Sequence, residues 1–162
     1  MNNPKTSSIK RSSIVVLQLV IVLIGIGILV FMLAEPYFEG RNVDATFFEI
    51  YFNDLFLVYA YTGSIAFFVA LHKAFKLLGY IGENKLFSMD SVRAMRTIKN
   101  CGKIIVAFIV VAGAYLVIVR PGDDIAGGVF MGLLIIFASG VIAIAAGVFE
   151  RILQSVVDSL LL

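Results

Sequence analysis

Side chains able to do acid–base, nucleophilic or metal chemistry are scarce in this chain, and their spacing builds no catalytic constellation. His72 is the single imidazole and Cys101 the single thiol. One thiol excludes an intrachain disulfide, and one histidine without nearby thiols gives no metal-ligand spacing. His72 adjoins Lys73, and a lone histidine at the end of an apolar run is expected to be passive rather than a sensor. Cys101 is expected to be a small buried hydrophobe. No catalytic residue, metal site or cofactor is therefore expected.

Two clusters of charge remain. Between residues 35 and 54 five acids, Glu39, Asp44 and Glu49 among them, oppose only Arg41. Tyr37, Phe38, Phe47, Phe48, Tyr51 and Phe52 are interleaved with them. Such aromatic density beside an apolar span is expected to form an interfacial belt; an outward cation or peptide site is the alternative, without the spacing of a metal loop.

The second cluster is Arg93, Arg96, Lys99 and Lys103. They track along a face adjoining the apolar positions Val92, Met95 and Ile98, as an amphipathic helix requires. Ser88 can cap that helix and Asp90 suits its positive first turn, so the helix is expected to start there. A basic surface helix gains about 1 kcal/mol per basic residue from anionic headgroups. Those four residues are the candidate lipid-headgroup contacts, or alternatively the docking face for an acidic protein partner.

The elements that carry these clusters are membrane spans. Of 162 residues 60% are hydrophobic and only 15% charged, and the mean hydropathy is +1.01. Soluble domains lie nearer 45–50% apolar. Apolar blocks at about 14–34, 55–78, 101–119 and 125–149 are each long enough to cross roughly 30 Å of hydrocarbon. The third block is rich in Val and Ile, but an open strand in lipid would leave its backbone unpaired, so a helix is expected. The first block is longer than a secretory signal's core and reads as a retained helix. The expected fold class is all-α: a single four-span domain forming an antiparallel bundle, with tails at 1–13 and 150–162, an outer loop at 35–54 and an inner loop at 79–100.

Eleven Lys and Arg fall on the side of the two tails and the loop after the second span, against two on the other. The positive-inside rule then puts both termini in the cytoplasm.

Within the spans no Asp or Glu appears, so the usual sign of an ion path or proton relay is missing. Gln18, Tyr59, Tyr61, Thr62, Ser64 and Ser139 are the polar side chains there. They are expected to hydrogen-bond between or within helices. Gly128 and Gly132, then Ala143 and Gly147, repeat a small-xxx-small spacing that lets another backbone come close. This candidate packing seam is expected to face another span of the same bundle, with self-association as the alternative.

Residues 83–98, with Phe87-Ser88, Val92 and Met95-Arg96-Thr97-Ile98, resemble the x-x-F-S-x-x-x-V-x-x-hydrophobic-R-x-I signature of the YoaS-like family of small four-span bacterial inner-membrane proteins. The resemblance extends through the last two spans to Val148-Phe149-Glu150-Arg151. It implies the four-span fold, a bacterial inner-membrane location and a frequent genetic association with small helix-turn-helix regulators. It implies no catalytic residues.

Taken together, the residues point to a non-enzymatic accessory, sensor or regulatory membrane protein. A transporter or hydrophobic-ligand-binding subunit is the second expectation. Membrane lipids are expected partners, with a membrane or cytoplasmic protein or a second copy as further ones, and no nucleic acid.

Overall fold

The computed structural model describes residues 4–38, 55–119 and 126–160. Four long helices account for nearly all of them: α1 (Pro4–Phe38), α2 (Leu55–Gly82), α3 (Met89–Val119) and α4 (Ala126–Leu160). Each is long and apolar enough to cross a membrane. The acidic and aromatic segment with Glu39, Asp44 and Glu49, and residues 120–125, lie outside the described residues, as do the side chains of Tyr37 and Phe38.

Helices pack chiefly on their neighbours in sequence. The α3–α4 contact is the most extensive, followed by α2–α3 and then α1–α2. The pairs are antiparallel: Gln18 Nε2 donates to Phe75 O at 3.2 Å near one end of the α1–α2 contact, and Tyr61 OH donates to Met32 O at 2.8 Å near the other. Tyr59 OH donates to Phe108 O at 2.9 Å across α2 and α3. Thr62 and Ser64 instead donate to carbonyls of their own helix, Val58 O at 2.8 Å and Tyr61 O at 2.7 Å. Lipid offers no competing water, so each of these donors gains a partner that only protein can supply.

Large apolar side chains such as Leu23, Phe31, Phe130, Phe137 and Ile144 point outward. On a water-soluble protein so much exposed apolar surface would drive aggregation. Against lipid tails it is the required solvent-facing surface.

The helices outrun the expected spans at one end. At about 1.5 Å per residue α3 and α4 are roughly 46 and 52 Å long, well beyond the hydrocarbon thickness. Helix α1 already begins at Pro4, α2 runs past Leu78 to Gly82, and the segment read as a tail from 150 stays helical to Leu160. Within the expected inner loop at 79–100 only 83–88 are non-helical, because the helix expected from Ser88 runs on into the third span. The reason for the last extension is the side of α4 that faces α3. Its buried residues are Ser139, Ala143, Ala146, Glu150, Leu153 and Val157, alternately four and three apart. That coiled-coil spacing keeps one stripe on its partner and continues beyond the apolar block.

The α2–α3 turn is closed by backbone hydrogen bonds. Lys85 N donates to Tyr80 O at 2.8 Å and Asn84 N to Ile81 O at 3.2 Å, the 6→1 and 5→2 pattern of a Schellman motif. Asn84 takes the left-handed position with φ of 58°. Asparagine tolerates it better than most side chains. Helix α3 then starts as expected, with Ser91 N donating to Ser88 Oγ at 3.4 Å as a long N-cap bond.

Candidate functional site

Two features stand out: a charged clamp at the end of the bundle nearest the α2–α3 turn, and an apolar cleft along the membrane-spanning part. Both are built on α3.

The α3–α4 seam explains how they arise. A Cβ added to Gly102 would lie 2.9 Å from Ala143 Cβ and 3.0 Å from Ser139 O. Only glycine allows the two backbones this separation. From that closest point the seam runs both ways. Gly132 faces Ile109 and Gly128 faces Leu116 toward one end, while Gly147 faces the Lys99 stem toward the other. The four small residues singled out in the sequence therefore all look onto α3 of the same chain.

At Gly147 the missing side chain leaves room for a long cationic one. A Cβ there would come within 3.2 Å of Lys99 Cδ. Lys99 passes over this gap, and its Nζ donates to Glu150 Oε2 at 2.5 Å. Arg96 Nε donates to the other carboxylate oxygen, Oε1, at 2.6 Å. The Glu150 side chain is only 7% exposed, so both its oxygens are satisfied by cations one turn apart on the facing helix. Such charge-assisted bonds fix geometry as well as add energy. One carboxylate against two cations leaves the clamp with a net positive charge.

Beyond the clamp lies a small apolar core. Val92, Leu153 and Val157 are buried together, with Leu86 and Met95 packed against them. Ser91 is fully buried beside it, and its hydroxyl donates to Lys85 O at 3.3 Å. These contacts tie the turn to the helix pair. Lys85 Nζ also donates to Glu83 Oε2 at 2.8 Å and thereby holds the Glu83 carboxyl below its ordinary range. That pair is solvent-exposed and adds little stability.

The basic row read from the sequence is therefore divided. Arg96 and Lys99 belong to the clamp. Arg93 points outward, 3.9 Å from Asp90 Oδ1, and Lys103 is exposed. Cys101 is buried and His72 exposed. Among the described residues no three His, Cys, Asp or Glu side chains gather to hold a metal.

Glu150 was not singled out as a site residue from the sequence, nor was Gly102. A signal for Glu150 existed in the alternating four-and-three spacing, which carries the stripe from Ala146 through Glu150 to Leu153. Gly102 had no comparable signal, because its role depends on the register between two helices.

The cleft lies chiefly between α2, α3 and α4, with Ile28 of α1 also lining it, and has a volume of about 550 Å³. Its wall is nearly all apolar, with Ser64 and Ser139 as the hydroxyls besides Tyr59. Tyr59 and Phe108 form an aromatic pair there with ring centroids 4.8 Å apart. The arrangement offers hydrophobic binding and a few hydrogen bonds, without a nucleophile–base pair or an ionised group lining it.

Four lipid-length helices with a charged latch between the last two define a multi-span α-helical membrane protein. More narrowly, the chain belongs to the family described as "Protein of unknown function (DUF2975)", which matches residues 42–159. It is also similar to the protein named "Uncharacterized membrane protein YoaS" of Bacillus subtilis (strain 168), 39% identical over 153 residues that cover 91% of this chain and 93% of that protein. This agrees with the resemblance seen in residues 83–98. No solved structure matches the chain.

Proposed function

We propose that this is a non-enzymatic regulatory or sensor protein of the bacterial cytoplasmic membrane, with both termini inside. The observation that carries the reading is the α3–α4 hairpin, which continues past the hydrocarbon as one packed unit latched by Glu150 to Arg96 and Lys99. A continuous seam joins its bilayer part to its inner part, so a change in helix packing within lipid reaches the inner surface without a flexible joint. The orientation is supported by the uneven distribution of Lys and Arg.

Of the basic row on α3, Arg93 and Lys103 are the residues left to meet a partner or a headgroup, since both are exposed and neither belongs to the clamp. Reversing both charges in the full-length protein, followed by quantitative co-purification from native membranes, tests the reading. Loss of a specific cytoplasmic protein with unchanged membrane insertion supports it. An unchanged set of co-purifying proteins counts against it and in favour of headgroup anchoring.

A second reading, a subunit that binds a hydrophobic ligand, is favoured by the cleft between α2, α3 and α4. Polar or ionic cargo fits poorly, because no charged side chain lines that space to replace a hydration shell.

A further inference from the structure

We propose that the cleft between α2, α3 and α4 binds a neutral lipid: a hydrocarbon chain that carries a carbonyl or hydroxyl oxygen, enters sideways from the bilayer, and accepts a hydrogen bond from Ser139. The inference rests on the second reading above and names the class of ligand.

The space suits such an occupant. Its volume of about 550 Å³ falls within the range of roughly 300–1,000 Å³ usual for small-molecule sites. Small side chains from three helices, Ala60 and Gly63, Gly102 and Ala138, keep the walls thin. The floor beside Gly63 is filled, since a Cβ there would come within 2.9 Å of the Phe108 ring.

Ser139 supplies the polar contact. It lines the cleft and is only 8% exposed. The hydroxyls of Tyr59, Tyr61, Thr62 and Ser64 each donate to a backbone carbonyl. Among the described residues no hydrogen bond reaches that of Ser139. Nor is its oxygen fully enclosed, because no fully enclosed side-chain oxygen or nitrogen among the described residues lacks a partner. A hydroxyl facing hydrocarbon finds no water to bond, so an acceptor brought by the occupant satisfies it.

Charge and depth narrow the class. With no ionised side chain in the lining, an ionised ligand would be stripped of water without compensation. Ser139 lies eleven residues before Glu150 on α4, roughly 16 Å along the helix, far below the level of phospholipid headgroups. A prenylated quinone or a diacylglycerol carries the required oxygen without a charge, whereas a phospholipid would have to draw its headgroup into hydrocarbon.

The test uses the full-length protein in phosphatidylcholine vesicles, with two photoactivatable diazirine probes, a prenylated benzoquinone and a diacylglycerol. Cross-linked residues are mapped by mass spectrometry. Saturable labelling at Ala138, Ser139 and Ile105 by either probe is expected, blocked by the same unlabelled compound; the probe that competes identifies the source. Ser139→Ala should weaken that labelling about fivefold, the loss of one hydrogen bond. Ala138→Phe, or Ile105→Phe if the first variant does not fold, should abolish it with thermal unfolding unchanged.

Unsaturable labelling from both probes, spread over outward residues such as Leu23, Phe31 and Phe137, overturns the proposal. So does a cleft shielded by cross-linking between two copies of α4. Saturable labelling that Ser139→Ala leaves unchanged overturns the polar contact while the hydrophobic-ligand reading stands. None of these outcomes bears on the regulatory reading, which is decided at Arg93 and Lys103.

Discussion

Gly102 and Ala143 hold α3 and α4 so close that a methyl group on Gly102 would sit 2.9 Å from Ala143 Cβ. The contact is the tightest that any glycine of the seam makes, and Gly102 lines the cleft as well. Gly102→Ala should cost about 1–3 kcal/mol by overpacking, and Gly102→Val more. Gly140→Ala is the control, since its added methyl would meet nothing within 4 Å; it should be neutral or stabilising by about 0.5–1 kcal/mol through helix propensity. Unfolding followed by circular dichroism in detergent checks the contrast, and equal losses at both positions would contradict the seam.

Glu150→Gln leaves Arg96 and Lys99 facing a neutral amide. A loss of about 1–3 kcal/mol is expected, less than for a fully buried pair because Arg96 remains half-exposed. A double-mutant cycle with Lys99→Met should show coupling of at least about 0.5 kcal/mol. Additive effects in denaturant titrations would mean that the Lys99–Glu150 pair contributes nothing to the hairpin.

Asn84 should respond to backbone geometry rather than to packing. With φ of 58°, Asn84→Gly is expected to be neutral within about 0.5 kcal/mol, and Asn84→Val to cost about 1–3 kcal/mol. Thermal unfolding in matched detergent separates the two.

Tyr59→Phe removes the donor to Phe108 O but keeps the ring pair. A loss near 0.6 kcal/mol, and below about 1.7, is expected from interhelical hydrogen bonds in membranes. Tyr59→Ala, which also removes the aromatic contact, should cost distinctly more in the same unfolding assay.

Arg93→Glu with Lys103→Glu should leave folding stability within about 0.5 kcal/mol, because exposed side chains outside the clamp contribute little. The same assay applied to Arg96→Glu should show a clear loss. If Arg93 and Lys103 proved as costly as Arg96, the division of the basic row would be wrong.

Much of the architecture was legible in the sequence. Hydrocarbon thickness dictates span length, so the apolar blocks gave the helices directly, and Ser88 marked the start of α3. The ends were less legible. Charge at Glu150 and Arg151 looked like the onset of a tail, whereas the stripe of Ala143, Ala146, Glu150, Leu153 and Val157 continues across it. Composition records where lipid ends, but helix length beyond lipid is set by what the next helix offers to pack on. The basic row illustrates the same limit: Arg96 and Lys99 differ from Arg93 and Lys103 only through the position of a carboxylate some fifty residues away in the chain. Gln18, Tyr59 and Tyr61 were recognisable as hydrogen-bonding groups from type alone, yet their acceptors required the fold.

Because the extensive contacts all run between helices consecutive in the chain, assembly can keep pace with synthesis. Every newly inserted segment meets a docking surface already in the bilayer, the larger contact of α2 and α3 forms with the very next helix, and no early segment must wait for a distant mate while the ribosome finishes. The order of translation and the order of contact coincide, which shortens the time during which small-residue grooves lie open to the wrong neighbour.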